Sequence, residues 1–140
     1  MQSRTEILQE FMRGRNCAQC TLAHFADRAD LDSEDTDRLT ACFGGGLEMG
    51  GPCGAVVGAL MAIGALVEDR ETQHRINDEF RRRFAEKNGS IYCKELTGYD
   101  FSVPGQLELA RSSGRIPELC PGLVLSAIEI LEQLLEEEGV

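Results

Sequence analysis

The chain has 140 residues, a formal charge of −10 and six cysteines. That length suits one domain over residues 1–140, because cores divide only beyond about 250 residues, and a 42% apolar share excludes a disordered chain. The acidic balance argues against nucleic acid and anionic membrane surfaces, which call for clustered Lys and Arg, and the absence of Trp leaves little for base stacking.

The N-terminus, Met1-Gln2-Ser3-Arg4-Thr5-Glu6, carries no apolar signal core, so a cytoplasmic location is expected. Ser3 to Glu6 has capping-box form, and Ile7, Leu8, Phe11 and Met12 follow at helical spacing up to Gly14. Asn16-Cys17-Ala18-Gln19 reads as a second start, with an Asn N-cap and a Gln at the third helical position. Ser33-Glu34-Asp35-Thr36 opens a third helix carrying Leu39, Cys42 and Phe43, with Cys42 expected in the core, and Gly44 stops it. Pro52 opens a fourth at its first-turn position. The run Cys53 to Val67 is apolar on all sides, which predicts burial, and it is shorter than the ~20 residues needed to span a bilayer.

Ile76, Phe80 and Phe84 mark a fifth helix that Asn88-Gly89 ends. Short turns are expected at Cys93–Leu96 and Leu107–Arg111, and Pro121 opens the last helix. Arg81-Arg82-Arg83 reads as a solvated face, and Glu136-Glu137-Glu138 as a helix end that frays against the dipole. No stretch alternates with period two for long enough to demand a strand. The expected fold is all-α: a compact bundle of about five main helices around a buried, glycine-rich central helix.

Seven of the fifteen glycines fall between Gly44 and Gly58. Such a run before a helix start can expose amides to an anion, which makes Gly45, Gly46, Gly51 and Gly54 candidate cofactor-binding positions. No Gly-Lys-Ser or Gly-Lys-Thr follows, however, and tight turns are the plainer use. Gly54 and Gly58 lie four apart on one helix face, which suits close helix packing.

In a reducing cytosol, six cysteines point to metal binding or redox chemistry more than to a disulfide scaffold. Cys17, Cys53 and Cys120 each fall at an expected helix start, where free amides favour the thiolate. Cys53 is expected to be the most thiolate-prone, provided the glycine run leaves it partly open or a cation sits beside it, since burial acts the other way. Cys17-Ala18-Gln19-Cys20 is a C-x-x-C pair without the βαβ context of thioredoxin. His24 lies one turn beyond Cys20, within reach of a site there, although a solvated or capped role suits it better; no Ser-His-Asp pattern is present.

Taken together, Asn16-Cys17-Ala18-Gln19, Phe43-Gly44-Gly45-Gly46, Gly51-Pro52-Cys53-Gly54-Ala55-Val56-Val57-Gly58-Ala59-Leu60-Met61-Ala62-Ile63-Gly64, Cys93-Lys94-Glu95-Leu96-Thr97-Gly98 and Cys120 resemble the C_GCAxxG_C_C family of redox-active proteins. The resemblance implies an α-helical protein whose four family cysteines, here Cys17, Cys53, Cys93 and Cys120, form the catalytic or metal-binding set. Cys20 and Cys42 fall outside the pattern. It implies either an iron–sulfur cluster or zinc on the four thiols, or cycling between dithiol and disulfide. The partner would be a redox protein or a small thiol or disulfide, with a homodimer also considered. The rival reading is a non-enzymatic ligand-binding or structural helical module in which the cysteines pack.

Overall fold

The computed structural model describes residues 2–140 and is all-α. In chain order the helices are α1 (Arg4–Met12), α2 (Cys17–Ala26), α3 (Ser33–Leu39), α4 (Gly54–Leu66), α5 (Arg70–Asn88), α6 (Cys93–Thr97), α7 (Gln106–Ser112) and α8 (Arg115–Glu138). Among the described residues the only extended pairing is an isolated antiparallel bridge between Pro52 and Tyr92.

Local chemistry sets most of the boundaries. Ser3 accepts from the Glu6 amide. Asn16 and Gln19 form a complete capping box, each side chain accepting from the other's amide at 2.8 Å. Gly89 ends α5 in the left-handed region at φ +97°, where a Cβ would be strained. Ile76, Phe80 and Phe84 are buried and face α8, which also contributes Ile128, Leu131 and Leu135 to the core.

The organising helix is α8, which packs on α1, α2, α4 and α5. The Cys53–Val67 helix is not buried on every side as its composition suggested: Gly64 and Ala65 are exposed, and Val57, Leu60 and Met61 are half-buried. Its buried face carries small residues because α2 lies directly against it. A Cβ on Gly58 would stand 2.8 Å from the Ala18 carbonyl oxygen, and one on Gly54 the same distance from that of Phe43. The packing use of Gly54 and Gly58 is therefore what the fold requires.

Four expectations need correction. First, α3 ends at Leu39, not at Gly44. The Asn16 side chain takes up the Thr40 and Ala41 carbonyls, the chain turns, and Cys42 is exposed and outside the core. Second, α4 begins after Pro52. Cys53 is its N-cap, because Pro52 is held in the bridge to Tyr92. Third, α8 begins at Arg115, well before Pro121. Pro117 takes the first-turn place where its missing N–H costs nothing, so Pro121 lies inside the helix. Fourth, the C-terminal glutamates do not fray. Arg83 of α5 holds Glu137 at 2.9 Å and Arg75 holds Glu138 at 2.8 Å, which offsets the unfavourable dipole; Arg83 is thus an inter-helix link and not merely a solvated face.

The glycine run forms an uncommon turn. Gly45, Gly46, Leu47 and Glu48 all have φ near +60°, making one left-handed turn closed by the Gly51 amide on the Gly46 carbonyl at 2.7 Å. For Leu47 and Glu48 this costs about 1–2 kcal/mol each, since their Cβ atoms crowd the following carbonyl. Gly46 must be glycine for a second reason: a Cβ there would lie 2.4 Å from the Gly51 carbonyl oxygen and 2.7 Å from Cys93 Cβ. No helix among the described residues is long and apolar enough to cross a membrane.

Candidate functional site

Four separate elements deliver one cysteine each to a single cavity. Cys17 is the first residue of α2, placed by the Asn16–Gln19 capping box. Cys53 caps α4 and Cys93 opens α6, and the bridge fixes these two together. The Cys53 amide donates to the Ile91 carbonyl and the Cys93 amide to the Gly51 carbonyl, both at 2.7 Å. Residues diagonal across such a ladder point to the same side, so the Pro52–Tyr92 pair aims both thiols one way. Cys120 comes from α8, in its second turn.

All four line a cleft of about 800 Å³, together with the apolar side chains of Phe11, Phe101, Leu107, Ile116 and Leu123. Cys20 and Cys42 do not line it. The C-x-x-C pair is therefore divided: Cys17 faces the cleft, while Cys20 is buried near Arg15, Glu10 and Asp37. His24 is also elsewhere, 3.3 Å from Glu132 of α8. At the four candidate cofactor glycines, protein atoms fill the space a side chain would take. Gly45 abuts Phe101, Gly46 abuts Gly51 and Cys93, Gly51 abuts Gly46, and Gly54 abuts Phe43 and Ala18.

All six cysteines are free thiols. The four in the cleft are not equivalent. Cys17 and Cys120 are neighbours in the cleft, and their thiols are pushed in opposite directions. Hydrogen bonding to Cys120, then burial, pushes the Cys17 thiol well up. The same interaction holds Cys120 below the ordinary thiol value against the cost of burial, and the nearby Arg115 guanidinium adds to it. Arg115 keeps its charge free for this role because it donates only to carbonyls, those of Leu96 and Thr97 at 3.2 and 3.1 Å. Cys120 therefore ionises more readily than Cys17, although it is not at a helix start.

Cys53 behaves differently from expectation. It is 2% exposed, and no cationic side chain acts on its thiol, so neither condition for a lowered value is met. Burial pushes its thiol up to about 12; the Ala55 and Val56 amides pull the other way, without a formal cap hydrogen bond to the sulfur. Burial likewise pushes Cys93 and Cys20 up to about 12. The sequence signal for Cys120 over Cys53 was Arg115, five residues upstream on what proves to be the same helix.

These shifts make stability pH-dependent. Unfolded thiols ionise near 8.5, so between about pH 8.5 and 12 the unfolded chain has lost protons that folded Cys20, Cys53 and Cys93 retain. Stability therefore falls as pH rises, by up to about 1.4 kcal/mol per pH unit for each thiol. The urea midpoint of reduced protein is expected to drop between pH 8 and 10, and to drop less in Cys20→Ala. A midpoint that stays level in the wild type would contradict the burial argument.

The chemistry of four thiols suits zinc or an iron–sulfur cluster. Among the described residues no three His, Cys, Asp or Glu side chains are arranged to hold a metal ion. Sharing a cleft is a looser condition than ligating one ion at about 2.3 Å.

The family described as "Putative redox-active protein (C_GCAxxG_C_C)" matches residues 15–134. The chain belongs to the C_GCAxxG_C_C family. The matched span contains all four cleft cysteines, the left-handed turn and most of α8, so the C_GCAxxG_C_C unit comprises nearly everything that builds the site. No curated protein and no solved structure matches the chain.

Proposed function

We propose that this chain is a cytosolic redox protein that exchanges two electrons with a disulfide through Cys17 and Cys120. The observation that supports the reading is that α2 and α8 bring Cys17 and Cys120 into one cleft, where the Cys17 thiol and the Arg115 guanidinium favour ionisation of Cys120. Thiol–disulfide exchange needs a thiolate to attack and a neighbouring thiol to resolve, and the pair has both. The Cys120 thiolate attacks one sulfur of a substrate RSSR, forming a Cys120–SR mixed disulfide and releasing RS⁻. Cys17 then gives up its proton and attacks the Cys120 sulfur, releasing the second RS⁻. The sum is Cys17–SH + Cys120–S⁻ + RSSR → Cys17–S–S–Cys120 + RSH + RS⁻, in which the thiol pair is oxidised and the substrate reduced. Cys53 and Cys93 remain protonated at neutral pH and stay out of the first step.

Limited oxidation tests the assignment. Reduced, metal-free protein treated with one equivalent of diamide is expected to yield a Cys17–Cys120 disulfide as the first product on peptide mapping. A first bond between Cys17 and Cys20, or one confined to Cys53 and Cys93, would overturn the pairing.

A further inference from the structure

The cleft also indicates what kind of disulfide would reach the pair. This step rests on the thiol-exchange reading above. Cys17 and Cys120 are 9% and 5% exposed, so a disulfide held on a folded protein's surface has poor access to their sulfurs. A volume of about 800 Å³ instead falls in the range of small-molecule pockets.

Three charged side chains line this largely apolar cleft: Arg15, Glu48 and Arg111. Arg15 is already neutralised by Asp37 at 2.5 Å and Glu10 at 3.3 Å. Among the described residues Glu48 and Arg111 make no ion pair, with each other or with anything else. One carboxylate and one guanidinium, both solvent-exposed and without an ion-pair partner, therefore line the same cleft. Glu48 is moreover held there by left-handed backbone that disfavours a side chain, at φ +59°. Leu47 shares this backbone at φ +61° but does not line the cleft, so Glu48 is the strained residue that the turn places there.

We infer that the substrate is a small disulfide of the amino-acid type, its carboxylate taken by Arg111 and its ammonium by Glu48. Guanidinium binds carboxylate through paired N–H donors, and a carboxylate accepts readily from an ammonium group.

Three compounds with the same S–S–CH₂ core separate the contributions. Cystine carries both charged groups, cystamine only the ammonium, and 3,3′-dithiodipropionate only the carboxylate. Oxidation of the reduced protein by each is followed by loss of free thiols. Each rate is divided by that of the same compound with dithiothreitol, because exchange also depends on the leaving thiol's pKa. Cystine is expected to exceed both others by about tenfold, the contribution of one charge-assisted hydrogen bond. Arg111→Gln should remove its advantage over cystamine and Arg111→Lys should restore part of it, while Glu48→Gln should remove its advantage over dithiodipropionate. Equal normalised rates for the three, or preferences that the variants leave unchanged, overturn the substrate assignment while leaving the exchange reading intact. A protein oxidised by none of them overturns the exchange reading and the substrate assignment together.

Discussion

Replacing Cys120 by serine is expected to lower the rate of disulfide reduction by at least about a hundredfold, because the variant lacks the attacking thiolate and a hydroxyl does not replace it at neutral pH. Cys17→Ser should behave differently. Cys120 still attacks, though more slowly, since the neighbour that favours its ionisation has changed. The reaction then stops at the mixed disulfide, because nothing at position 17 can displace it. Intact-mass measurement would show one substrate half attached to each Cys17→Ser chain and no such adduct on Cys120→Ser. Cys20→Ala should react as the wild type does, since Cys20 lies outside the cleft. Wild-type rates in Cys120→Ser, or rapid intramolecular closure in Cys17→Ser, would assign the exchange to other thiols.

The contrast between Cys20 and Cys120 shows what a sequence makes readable. Cys20 is the near partner of Cys17 in the chain, and spacing alone favours it. The true neighbour lies on α8, and only the packing of α2 against α8 reveals that. Features set within a few residues were legible: the Asn16–Gln19 box, the left-handed stop at Gly89, and the apolar steps Ile76, Phe80 and Phe84. These depend on backbone amides and helical periodicity, which nearby side chains determine. Features that depend on distant partners were not. Nothing local in Leu47 or Glu48 favours positive φ; the contacts of Gly46 with Gly51 and Cys93 help impose that turn. The start of α8 was hidden because either Pro117 or Pro121 could serve as a first-turn proline, and the anchoring of Arg115 on the α6 carbonyls is invisible in the chain order. The gathering of Cys17, Cys53, Cys93 and Cys120 was legible through the family pattern, whereas the pairing of Cys120 with Cys17 and its nearness to Arg115 depend on how α2, α6 and α8 pack.

Two glycines in α4 are expected to respond to the same substitution with opposite signs. In an exposed helix interior, Gly→Ala stabilises by about 0.5–1 kcal/mol, because alanine loses less backbone freedom on folding. Gly64 fits that case: it is exposed and nothing lies within 4 Å of an added Cβ, so Gly64→Ala should stabilise by about that amount. Gly58 gains the same helix propensity, but its Cβ would stand 2.8 Å from the Ala18 carbonyl oxygen and 3.0 Å from Thr21 Cβ. The first contact is backbone and cannot rotate away, so α2 must move off α4. Overpacking of this kind costs about 1–3 kcal/mol, which outweighs the propensity gain, and Gly58→Ala should be destabilised overall. The displacement also reaches the site, because Thr21 donates to the Cys17 carbonyl at 2.8 Å and both lie on the helix that moves. Gly58→Ala should therefore oxidise its Cys17–Cys120 pair more slowly than Gly64→Ala at equal folded fraction. Urea denaturation of the two variants, followed by diamide titration under native conditions, checks both effects. A Gly58→Ala protein as stable as Gly64→Ala would mean that α2 and α4 are not in backbone contact, and the placement of Cys17 at the cleft would lose its structural basis.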